Sequence, residues 1–107
     1  MTPTDLRHLQ RMRACIASLR TGAMSLVEGA DSLLFLRSAL ETVDAAWDES
    51  FTAHAATLES AGLATSEQVA SMGKGYSTVV SQALDSLETL VTSQLPSDGL
   101  IGEETEE

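Results

Sequence analysis

Residues 26–61 read LVEGADSLLFLRSALETVDAAWDESFTAHAATLESA, and how this stretch is divided decides the fold. Leu26, Ala30, Leu33, Leu36 and Leu40 recur at spacings of three and four, which is one face of a helix. Leu34 and Phe35 widen that face, as a helix touching two neighbours requires. Val43, Trp47, Phe51, His54, Leu58 and Ala61 carry the same register onward. One unbroken helix over this range would be about 54 Å long at ~1.5 Å per residue. A compact domain of this size has a radius of gyration near ~13 Å. Such a rod protrudes unless a dimer covers it. A break is more economical, with Thr42 or Asp44 capping a new helix. Ser25 and Glu28 form an S-x-x-E capping box before the stretch, and Gly62 suits a C′ position after it.

The flanks are helical as well. Thr4 is a candidate N-cap for a helix over Asp5–Thr21, with Asp5 in its first turn, where a carboxylate suits the helix dipole. Leu6, Leu9, Met12, Ile16 and Leu19 give it one apolar face, and Gly22 ends it. Thr65 and Gln68 form a second capping box. Val69, Met72, Tyr76, Val79, Val80, Ala83, Leu87, Leu90 and Val91 continue as one long seam up to Pro96. Gly73 and Gly75 predict a kink within it. The expected fold is all-α, a compact antiparallel four-helix bundle. The alternative is three helices with one long central helix, paired as a dimer. Residues 1–96 form the expected single helical domain. Residues 97–107 form an acidic tail with no reason to fold.

Charge narrows the function. The 107 residues carry sixteen Asp and Glu against six Lys and Arg, a formal charge of −10. Phosphate binding draws its affinity from Lys and Arg, so bare nucleic acid is not an expected ligand. An anionic membrane surface is disfavoured for the same reason. No apolar run is long enough to span a bilayer. Cys15 is the single cysteine, which fits a reducing compartment, and the expected location is cytoplasmic.

Catalytic and metal-binding patterns are thin. His8, His54 and Cys15 make no H-x-x-x-H, C-x-x-C or Glu-x-x-His spacing, so no metal or cofactor is expected. The segment around Gly73-Lys74-Gly75 lacks the spacing of a phosphate loop and follows no strand. No G-x-S-x-G elbow positions a nucleophile. His54 shares the apolar face of Trp47, Phe51 and Leu58, which fits a half-buried histidine better than a general base.

The stronger pattern is acidic. Glu41, Asp44, Asp48 and Glu49 fall within nine residues that hold no base and surround the only tryptophan. Glu41, Asp44 and Asp48 share a face if the helix is continuous. Asp44 and Asp48 remain neighbours if it breaks. Trp47 and Phe51 are one turn apart beside them. Core packing explains that pair, yet aromatic anchors next to carboxylates also mark hot spots for basic partners. The candidate partner-binding set is therefore Glu41, Asp44, Trp47, Asp48, Glu49 and Phe51. Reversing Asp44 and Asp48 to Lys is expected to slow association with such a partner.

The stretch LLFLRSALETVDAAWDESF, Leu33 to Phe51, resembles part of a group of small all-helical bacterial immunity and antitoxin proteins. SQALDSLETLV, Ser81 to Val91, fits the same pattern. W-x-x-x-F is the distinctive element. The resemblance implies a non-enzymatic acidic module that occludes the basic surface of a toxin, such as a nuclease. Secreted helical-hairpin proteins of similar length carry W-x-G, whereas this chain has Trp47-Asp48-Glu49. The alternative function is a structural homodimer or a component of a helical assembly.

Overall fold

Pro3 opens the first helix of the computed structural model, which describes residues 2–95. Helix α1 spans Pro3–Thr21, α2 Leu26–Ser38, α3 Ala45–Leu63, α4 Ser66–Met72 and α5 Lys74–Gln94. Among the described residues there are thus five helices, where the sequence reading counts four. The long central helix of the alternative reading is overturned too, because residues 39–44 separate α2 from α3. Pro96 and the acidic tail over residues 97–107 lie outside the described residues.

Local chemistry accounts for most of the boundaries. Thr2, not Thr4, caps α1, accepting from the Asp5 N–H at 3.0 Å. Pro3 follows it at a position that needs no N–H donor. Gly22 ends α1 at φ 80, a left-handed backbone that suits glycine. Ser25 caps α2 through the Glu28 N–H at 3.2 Å. The Glu28 carboxylate lies 3.3 Å from the Ser25 hydroxyl, so this is a looser arrangement than the expected reciprocal box. Thr65 and Gln68 do form the reciprocal pair, at 3.1 and 2.9 Å.

Two boundaries differ from expectation for reasons of packing. Gly62 does not end α3, which continues to Leu63. A β-carbon on Gly62 would lie 2.9 Å from Leu26 Cβ and 3.0 Å from the Val27 nitrogen. This glycine serves a close helix crossing. The predicted kink is a full break at Gly73, whose φ of 58 and ψ of −131 are open essentially to glycine alone. It detaches α4 from α5. Gly29 also serves packing, since an added β-carbon would meet the Leu19 side chain within 2.7 Å.

The core uses the faces that the periodicity marks. Leu9, Met12 and Ile16 from α1 meet Leu33 from α2, Phe51 and Leu58 from α3, and Leu87 and Val91 from α5, all nearly sealed from solvent. Each of α1, α2, α3 and α5 packs on two of the others: α1 and α3 each touch α2 and α5. Helix α4 packs on α5 alone and buries no residue. Phe35 is the exception to the widened α2 face, standing 71% exposed.

Pairs of contacts set the helix directions. Gly62 approaches Val27, while Asp48 reaches Arg37, so α2 and α3 run in opposite senses. Trp47 meets Leu90 and Ala61 meets Tyr76, so α3 and α5 do as well.

Candidate functional site

The α2–α3 connection and the first turns of α3 hold all six candidate residues. The connection is built on Asp5. Its side chain is fully buried and accepts from the backbone N–H of Glu41 at 2.8 Å and of Thr42 at 3.2 Å. These bonds satisfy donors that no longer belong to a helix. The Glu41 N–H holds the Asp5 carboxyl below the ordinary carboxylate range, partly offset by burial, with smaller help from Thr2 and Thr42. Sequence reasoning placed Asp5 only as a first-turn acid. The signal for its role was its register: it stands four, seven and eleven residues before Leu9, Met12 and Ile16, on the core face of α1.

Asp44 caps α3. Its Oδ2 accepts from the N–H groups of Ala46 at 3.1 Å and Trp47 at 3.2 Å. Asp48, one turn later, accepts from Arg37 Nη1 at 2.7 Å, with both side chains about one-third exposed. The sequence reading found no base near these acids. Arg37 stands eleven residues before Asp48, outside that run, and the antiparallel pairing of α2 and α3 brings it alongside. Glu41, Asp44 and Glu49 are exposed, and no described Lys or Arg forms an ion pair with them. Val43 lies between Glu41 and Asp44 in the chain with 37% exposure.

The aromatic residues sit differently from what a surface anchor requires. Trp47 is 6% exposed and Phe51 is fully enclosed. Their rings stack at 5.0 Å with 17° between planes. The Trp47 indole N–H donates to the Leu90 carbonyl at 2.7 Å, tying α3 to α5. The structure therefore separates the six candidates. Glu41, Asp44 and Glu49 face solvent, Asp48 is paired, and the two rings lie inside.

Other clusters offer less organised chemistry. His54 lines a shallow groove with Ser50, Asp85, Ser86 and Thr89. Among the described residues no hydrogen bond joins His54 to these neighbours, and Asp85 is engaged by Arg20 at 2.8 Å. A nucleophile–base pair oriented by a third group is not assembled there. Among the described residues no group of three or more His, Cys, Asp or Glu side chains could hold a metal ion. Cys15 is buried between Met24 and the Gly29 carbonyl, and burial raises its thiol pKa. No described helix is long and apolar enough to cross a membrane.

No protein-family model matches the chain, and the comparisons with curated proteins and with solved structures give no match either.

Proposed function

We propose that this chain is a non-enzymatic binding module whose α2–α3 end docks a basic protein surface, acting as an immunity protein toward a toxin domain such as a nuclease. The observation that supports this reading is the exposed set Glu41, Asp44 and Glu49, which no described cation neutralises. These carboxylates surround the start of α3, on a chain whose formal charge is −10. Their field speeds encounter with a cationic partner, and Val43 supplies an apolar contact at the centre. Trp47 and Phe51 contribute by holding α3 rigid against α5 rather than by touching the partner. Rigidity lowers the entropy lost on binding.

The test uses the intact chain, immobilised and exposed to native cell extract at low salt, with captured proteins eluted by salt. A basic protein is expected on the parent and is expected to be lost from a Glu41→Lys/Glu49→Lys variant. Its association rate is then measured against both. A toxin activity in the captured protein is expected to be suppressed by the parent and not by the variant. Equal capture by parent and variant overturns the reading.

A further inference from the structure

Four of the six Lys and Arg lie in α1. Arg20 is engaged by Asp85 and Glu88 of α5, and Arg37 of α2 by Asp48. Arg7, Arg11 and Arg13 are exposed and form no ion pair among the described residues. Arg7 and Arg11 stand four apart and so share one outer face of α1. Their own helix puts no acid on that face. Asp5 is its sole carboxylate, and it is buried against the α2–α3 connection.

The close of α5 comes beside this face. Leu19 and Arg20 line a groove with Tyr76, Val80 and Leu84, so the last turn of α1 runs along the first half of α5. Asp5 meets Glu41, and Trp47, just beyond, meets Leu90, so the start of α1 shares an end of the bundle with the close of α5. The two helices are therefore antiparallel. Equal steps of ~1.5 Å per residue bring Leu95, which packs on the core, level with the stretch from Arg7 to Arg11.

Residues 96–107 continue from that point with five of the sixteen acids and no Lys or Arg. Neighbouring helix axes lie about 8–10 Å apart. Helix α1 is itself about 10–12 Å across. Residues 96–103 span up to about 26 Å when extended, enough to pass from Leu95 to the outer face of α1. Lys74, the only lysine, opens α5 about 32 Å before Leu95 and lies beyond that reach.

We infer that residues 103–107, four of them Glu, dock on the Arg7–Arg11 face of α1 in the same chain, carboxylate against guanidinium. Tethering favours this occupant over a separate acidic protein. A chain at −10 repels such a partner, whereas a short tether holds its own acids at about millimolar concentration. Exposed ion pairs are individually weak, so the contact forms and releases instead of locking. The inference goes beyond the role proposed for the α2–α3 end and stands without it.

The experiment is paramagnetic relaxation in the full chain, with a nitroxide on Thr105→Cys, which keeps every tail charge. Cys15 is buried, and mock labelling of the parent checks that it takes no label. Amide signals around Arg7–Arg11 are expected to be attenuated severalfold more than those around Lys74. The excess is expected to vanish in Arg7→Gln/Arg11→Gln, with helicity unchanged by far-ultraviolet circular dichroism, and to persist in Lys74→Gln. It is also expected to vanish at ~1 M salt, where the Debye length is about 3 Å. No excess attenuation in α1 overturns the inference, and so does an excess that survives Arg7→Gln/Arg11→Gln. Equal attenuation in an equimolar mixture of spin-labelled, isotopically unenriched chain and enriched chain without the label overturns it too, because the contact then lies between copies.

Discussion

The buried carboxylate of Asp5 accepts the backbone N–H of Glu41 at 2.8 Å, across 36 positions of sequence. This contact joins the first turn of α1 to the point where the α2–α3 direction reverses. Replacing Asp5 by Ala removes the acceptor for both Glu41 and Thr42. The variant is expected to unfold at a lower temperature than the parent at pH 7. The pH dependence has a definite sign. The folded pKa is lowered, so the stabilisation is complete above the unfolded carboxylate value of about 3.9 and is lost as pH falls through the folded value. The gap between parent and Asp5→Ala in thermal unfolding should therefore narrow in strong acid. A gap that is constant across that range would contradict the assignment.

Trp47 tests the core. Trp47→Phe keeps a ring against Phe51 but removes the indole N–H from the Leu90 carbonyl, which retains the Ser93 hydroxyl at 2.7 Å. The expected loss is about 0.5–1.5 kcal/mol. Phe51→Ala opens a cavity in a sealed site, at about 3–5 kcal/mol. Urea unfolding measures both. Iodide should barely quench the single tryptophan in the folded parent.

Gly62 and Gly75 separate helix propensity from packing. Both lie within helices, where Gly→Ala is favourable by roughly 0.5–1 kcal/mol on propensity alone. An added β-carbon at Gly75 meets nothing within 4 Å, so Gly75→Ala should stabilise by about that amount. At Gly62 it meets the α2 backbone, and overpacking of about 1–3 kcal/mol outweighs the gain. Gly62→Ala should therefore destabilise. Opposite signs in denaturant midpoint would support the crossing geometry.

The charge-reversal experiment changes with the structure. Reversing Asp44 and Asp48 together removes a helix cap worth about 1 kcal/mol and an ion pair worth up to about 1 kcal/mol. Slower association of that double variant would confuse folding with recognition. Glu41 and Glu49 side chains make no such contacts, so Glu41→Lys/Glu49→Lys should leave the thermal midpoint within a few degrees of the parent while altering only the surface field.

Much of the fold is legible residue by residue. Thr65 and Gln68 announce their capping box in four letters, and Gly22 announces the end of α1. Leu9, Met12, Ile16, Leu33, Phe51, Leu58 and Leu87 all reach the core that their spacing predicts. The candidate site is less legible. Its apolar pair, Trp47 and Phe51, follows the core register, and the core takes it. Its acids cannot be sorted by type, because a carboxylate that caps, one that pairs and one that is free look alike in sequence. Arg37 illustrates the reason: it neutralises Asp48 only because α2 and α3 pass in opposite senses.

Periodicity and capping chemistry act over a few residues, so the chain by itself determines that it is helical, which faces turn inward and roughly where each helix starts. Close approach and charge pairing depend on segments far apart in sequence. Tertiary structure alone decides that Gly62 stays inside α3 to admit α2, that α4 breaks fully from α5 at Gly73, and that the reversing backbone is what the Asp5 carboxylate meets. It also decides which carboxylates remain in water, since neutralisation requires a cation within a few ångströms in space, and sequence distance does not measure that.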